Sequence, residues 1–340
     1  MAYTLKLDMY YFSLKKITGT FERKTREGKR IGFHTEETPC LFQDFVNSLS
    51  LKENGKYMEV LLTDFINGFN ASFKSNKDNT KAVSITTDLF HGVSKTEYTA
   101  WGVFKGGSTG INREIYKSDN ATTLKGTIDD DNVTSLLYFY KLWLPQDSNV
   151  GILMVQSYTS MGCTALFKEQ LEDYFISKGY KPYWNKCVPK SYIEKYLKDG
   201  YINEIRVVHS KRDYKKPLDP IFGPFIKATK KTIFNKFNIP LGDFLSMLNY
   251  KNVLISQIQA VDAEYDKSAD MIKLFYTNNG KKAHASLANI EDILPVITLD
   301  DSLKDEKTQQ PVWEDLHKFT KGILDNLKLQ ISYTPKVITI

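Results

Sequence analysis

Cysteine is scarce in this chain. There are three in 340 residues, Cys40, Cys163 and Cys187, odd in number and far apart. That excludes a disulfide framework and fits a reducing, cytoplasmic setting. Paired metal-ligand spacings are missing as well. There is no Cys-x-x-Cys, no His-x-x-x-His and no His-Glu-x-x-His, and His34, His91, His209, His284 and His317 fall in separate segments. No metal site and no cofactor are therefore expected. No Gly-x-x-x-x-Gly-Lys-Ser/Thr run offers a phosphate-cradling loop. Long apolar runs are lacking too: stretches such as Leu136–Tyr140 and Val150–Val155 fall far short of a membrane span. The alternating, charged opening Met1–Lys16 lacks the apolar core of a signal peptide. These absences predict a soluble cytoplasmic protein without a membrane partner.

Aromatic residues are plentiful, with 20 Tyr and 20 Phe, and they exclude wholesale disorder. Periodicity predicts strands over Tyr3–Leu14, Tyr57–Phe65, Val83–Leu89, Val133–Trp143, Val150–Tyr158 and Tyr201–His209. Helices are predicted over Pro39–Leu51, over Thr164–Ser177 with Gly179 behind it, and over Lys190–Lys198. Glu22–Arg30 reads as a charged connection, and Gly106–Gly110 as a hairpin loop between Tyr98–Phe104 and Ile111–Tyr116. Further on come a helix over Leu241–Leu248, a strand over Val253–Ala263 and a hairpin of Met271–Tyr276 with Lys282–Ser286 across Asn279-Gly280. An amphipathic helix over Val312–Leu327 and a strand over Leu329–Ile340 end the chain. The fold class expected is α+β: a mixed sheet with packed helices over 1–205, a basic, proline-containing connector over 206–236, and a smaller α+β domain over 237–340.

Charge is concentrated. The net charge of the whole chain is +6, and residues 204–236 account for all of it. That segment carries Arg206, Lys211, Arg212, Lys215, Lys216, Lys227, Lys230, Lys231 and Lys236 against Glu204, Asp213 and Asp219, with Tyr214, Phe222, Phe225 and Phe234 interleaved. Such a segment suits phosphate neutralisation and base stacking; the alternatives are a solvated linker or contact with an acidic protein partner. Arg206, Lys211, Arg212, Lys215, Lys216, Lys230 and Lys231 are the candidate residues for DNA or RNA. A second cluster, Lys15, Lys16, Arg23, Lys24, Arg26, Lys29 and Arg30, is opposed by Glu22 and Glu27.

Catalytic patterns are sparse, and the sequence leaves open whether the protein is an enzyme. A metal-dependent nuclease needs an Asp and a Glu-x-Lys on adjacent strands, so that two carboxylates hold Mg²⁺ and the Lys positions water. Asp8, Glu22 and Lys24 are of the right types. His209-Ser210-Lys211 opens like a phospholipase-D-type motif, but Lys216 stands where that motif needs Asp. Cys163 follows Gly162 at a strand-to-helix turn, where a thiol can ionise easily, with His91 and His209 as the partners to examine. With no His partner identifiable in the sequence, a small residue at a tight turn is the preferred reading. Asp129-Asp130-Asp131 reads as a turn.

Three stretches, Tyr3–Lys16, Trp101–Ser118 and Gly151–Phe175, about a fifth of the chain or less, resemble uncharacterised proteins of bacterial anti-phage defence islands. The resemblance implies a role in sensing or acting on invading nucleic acid, beside a partner subunit, and carries over no catalytic residue.

Overall fold

The computed structural model describes residues 3–24, 30–49, 56–209, 231–240, 242, 256, 258–262, 270–278, 281–286 and 297–334. The chain divides into two units, Met1–Cys187 with Val296–Ile340, and Val188–Pro295. The first runs β1 (Leu5–Lys24), β2 (Arg30–Pro39), α1 (Phe42–Ser48), α2 (Tyr57–Phe69), β3 (Lys74–Ser75), β4 (Lys81–Ser84), β5 (His91–Ser94), β6 (Thr99–Ser108), β7 (Arg113–Lys117), β8 (Asn120–Ile128), β9 (Thr134–Trp143), β10 (Gly151–Tyr158), α3 (Thr164–Ser177) and β11 (Tyr180–Lys186). The second holds α4 (Lys190–Lys198), β12 (Gly200–Val208), β13 (Lys231–Pro240), β14 (Met271–Asn278) and β15 (Lys281–Ser286), after which β16 (Ile297–Thr298) and α5 (Trp313–Gln330) return to the first.

The first unit is a 10-stranded sheet with the central order β11-β1-β10-β9-β6-β4-β3. Its centre is β10, buried at every position, as a continuous apolar run demands. Helices cover both faces. On one, Phe12 of β1 meets Phe42 of α1 and Phe175 of α3, while Phe104 stacks on Phe167 of α3 and Tyr140 lies tilted against it. On the other, α5 packs against β9 with Leu316, Ile323, Leu324 and Leu327 buried. Alternation along β9 turns Lys141 to that second face. Lys141 is 2 % exposed and donates from Nζ to the His317 carbonyl at 2.8 Å. Burial pulls its ammonium from 10.5 down to about 7. The His317 ring lies 4.1 Å from Trp101, and burial, reinforced by the Lys141 charge, pulls it down to about 4.

The α+β class stands, with every described strand pair antiparallel rather than mixed. Several elements differ from their sequence-based expectation. Tyr57–Phe65 belongs to helix α2: Tyr57, Met58, Leu61, Leu62, Phe65, Ile66 and Phe69 are all buried at helical spacing. At about 1.5–3 kcal/mol per large side chain, that burial outweighs strand propensity. Gly106 and Gly107 are not in a loop but inside β6, paired with β4 and β9. A Cβ on Gly107 would stand 1.9 Å from the Thr134 carbonyl oxygen, so close strand approach, not turning, calls for glycine there. Gly110, at φ +78, does turn. Of the expected Glu22–Arg30 connection, Glu22, Arg23, Lys24 and Arg30 are strand, because β1 and β2 pair out to Lys24 and Arg30; residues 25–29 lie outside the described residues.

Residues 256 and 258–261 are helical rather than strand, with Asp262 N–H bonded to the Ile258 carbonyl. Leu329 and Gln330 finish α5; residues 335–340 of the expected last strand, most of Leu241–Leu248 and the Asn279-Gly280 turn lie outside the described residues. The partition also differs from a domain over 237–340, because the apolar stripe of α5 is buried on the first unit's sheet. Among the described residues no helix is long and apolar enough to cross a membrane.

Candidate nucleic-acid interface

The second unit is built on a 4-stranded antiparallel sheet of order β13-β12-β14-β15. Residues of alternate parity face opposite ways. Ile205, Val207 and His209, with Ile272, Leu274, Tyr276 and Asn278, are buried on one side. The other side carries Glu204, Arg206 and Val208 on β12, opposite Asn235, Ile233 and Lys231 on β13. There too are Met271, Lys273, Phe275 and Thr277 of β14, with Ser286, His284 and Lys282 of β15 beside the last three. Lys231, Ile233, Asn235, Met271, Lys282 and His284 are exposed, and Arg206, Lys273, Phe275 and Thr277 half-buried.

Register places three flat groups in a row across this face. Phe275 stands between Glu204 and His284. The Arg206 guanidinium lies 4.3 Å from the Phe275 ring centroid, a cation over a π face. The His284 ring lies 5.5 Å away on the other flank, tilted by only 26°. Glu204 accepts from Arg206 Nε at 3.0 Å, which holds the guanidinium over the ring. Lys231, Lys273 and Lys282 share the face, so its described charged side chains are three lysines, Arg206 and Glu204, with His284 beside them. Aromatic platforms flanked by Lys and Arg can stack bases while the cations neutralise phosphates.

His209 rivets the opposite side of this sheet. Its Nδ1 is 2.8 Å from Asp270 Oδ2, and its Nε2 is 2.9 Å from Asp262 Oδ2 and 3.1 Å from Thr232 Oγ1. One imidazole thus ties the helical residues to the ends of three strands. Both ring nitrogens are engaged, which leaves His209 no role as a base for Cys163.

Of the residues singled out in the sequence, Arg206 and Lys231 share the open face, opposite Ile233 and Val208 respectively. Lys211, Arg212, Lys215, Lys216 and Lys230 lie outside the described residues. Asp8 and the Glu22-Arg23-Lys24 string do not come together: both sit on β1, about 45 Å apart at roughly 3.3 Å per residue. Asp8 is opposite Val155 and Glu22 opposite Phe33, and Asp8 accepts instead from the hydroxyls of Ser157 and Thr164.

Cys163 is buried at the N-cap of α3, and burial pushes its thiol up rather than down. His91 pairs with Gly102, whereas Cys163 lies against Gly106, about 13 Å further along β6 at roughly 3.3 Å per residue. His91 is bonded to the Thr86 carbonyl at 2.8 Å. Asp129, Asp130 and Asp131 are exposed, in the turn that follows β8. Among the described residues no group of three or more His, Cys, Asp or Glu could hold a metal. Phe275, His284, Lys273 and Lys282 were not among the nucleic-acid candidates drawn from the sequence. Their signal was the alternation of the hairpin strands, which sets Lys273 and Phe275 on one side and Leu274 and Tyr276 on the other. No family model, no curated protein and no solved structure matches this chain.

Proposed function

We propose that the protein binds single-stranded nucleic acid on the open face of the β13-β12-β14-β15 sheet. The observation that carries this reading is the Arg206–Phe275–His284 row with Lys231, Lys273 and Lys282 around it on the same face. Bases would stack on the flat groups, and the lysines would take the phosphates. The sequence-derived candidates Arg206 and Lys231 enter this reading directly. No catalytic step is assigned to the face.

The test is a fluorescence-anisotropy titration with labelled single-stranded DNA and RNA oligonucleotides and a duplex control. Phe275→Ala should lose about 1–3 kcal/mol of binding, the usual worth of one stacked base. Lys273→Glu with Lys282→Glu should weaken binding and flatten its dependence on salt. Equal affinity in all variants would contradict the reading. Tighter binding of duplex than of single strand would also contradict it, because a stacking platform needs unpaired bases.

A further inference from the structure

At the root of the β7–β8 ribbon, the first unit has a cavity of about 400 Å³, within the roughly 300–1,000 Å³ range of small-molecule sites. Gly106, Gly107 and Gly162 form part of its wall, and beside Gly162 the space is open, since a Cβ there would meet nothing within 4 Å. Tyr3 and Leu136 supply apolar surface, and Ser108 and Ser135 supply hydroxyls. Its charged lining residues are Lys81 and Arg113, with no carboxylate among the residues that line it. Lys81 Nζ donates to the Gly162 carbonyl at 2.7 Å. Arg113 Nη1 donates to Thr134 Oγ1 at 3.4 Å. Each bond uses one N–H, and an ammonium carries three donors and a guanidinium five.

A third positive feature adjoins these two. Gly162 directly precedes Cys163, the N-cap of the 14-residue helix α3, which has no acidic residue in its first turn and no side-chain cap. Asp8 reaches Thr164 Oγ1 at 3.1 Å but is not part of the cavity wall. Two cations and the positive end of a helix dipole oppose one another, and a bound anion turns that opposition into charge-assisted hydrogen bonds. The apolar wall gives the organic part of such a ligand its surface.

We infer that this cavity binds a small phosphate monoester of mononucleotide size, the phosphate on Lys81 and Arg113 and the organic part against Tyr3 and Leu136. Isothermal titration calorimetry on the full chain tests this with adenosine monophosphate, uridine monophosphate, ribose 5-phosphate, adenosine and inorganic phosphate. At least one of the three monoesters should saturate, inorganic phosphate should compete with it, and adenosine should not. Arg113→Glu and Lys81→Met should each weaken the monoester roughly tenfold or more, with the melting temperature of the ligand-free protein unchanged. Phe275→Ala should leave it unaffected, which separates this cavity from the sheet face. The inference is overturned if no monoester saturates, if adenosine binds as tightly, or if Arg113→Glu and Lys81→Met retain full affinity.

Discussion

Replacing Lys141 with methionine should stabilise the protein at neutral pH and flatten its pH dependence. The side chain is 2 % exposed, so solvent screens little of its burial cost. Its ammonium falls from 10.5 to about 7; at about 1.4 kcal/mol per unit, holding the charge inside costs about 4 kcal/mol at pH 7. Between pH 7 and 10.5 the unfolded chain binds more protons at this site than the folded one, so stability rises with pH. The slope is about 1 kcal/mol per pH unit near pH 8. Methionine keeps most of the volume but deserts the His317 carbonyl that Lys141 Nζ reaches at 2.8 Å, a loss of about 1–3 kcal/mol.

The net expectation is a gain of about 1–3 kcal/mol at pH 7 that shrinks towards zero or below by pH 9. Urea unfolding at pH 7, 8 and 9, followed by tryptophan fluorescence, reads both quantities. Trp101 lies tilted against His317 of α5, and Trp143 lies edge-on to Tyr333 just beyond it. Burial holds the thiols of Cys40, Cys163 and Cys187 above their usual range, which acts against stability as pH rises. The difference between Lys141→Met and wild type removes that contribution. Equal slopes in the two proteins would refute the reasoning.

His209→Leu should destabilise the second unit by about 3–5 kcal/mol, because it strips the imidazole from two buried carboxylates; hydrogen exchange on β12 and β14 would show it as lost protection. Gly107→Ala should cost about 1–3 kcal/mol, since the new methyl must push β6 from the Thr134 carbonyl, whereas Gly162→Ala, where a Cβ meets nothing within 4 Å, should leave the melting temperature almost unmoved. Cys163 and Cys187, buried and with thiols held high, should resist iodoacetamide at pH 8 in the native protein and react in urea; rapid native labelling of Cys163 would revive it as a nucleophile.

Where periodicity and burial coincide, the sequence was legible. Thr164–Ser177 and Lys190–Lys198 are helices with the expected limits, and the apolar run of β10 is the sheet's buried centre. The failures have physical causes. In Tyr57–Phe65 adjacent buried pairs such as Tyr57-Met58 and Leu61-Leu62 gave short apolar runs, which strand and buried helix share. Glycine in β6 imitated turn chemistry while serving close strand contact. Asp8 and Glu22 had an acceptable spacing only if a connection turned the chain back between them, and β1 continues unbroken from one to the other. The charge excess pointed to the second unit in one dimension. The Phe275–His284 pair lies within the expected hairpin, but Arg206 could not be placed beside it, because the pairing of β12 with β14 joins residues far apart in the chain.

The central claim is tested most directly by mapping where a nucleic acid touches the protein. A photoreactive single-stranded oligonucleotide containing 4-thiouridine, bound to the full chain and irradiated, should attach to peptides holding Phe275 and His284, with attachment lost in Phe275→Ala. Attachment confined to peptides of the first unit, or none from an oligonucleotide that binds, would contradict the account.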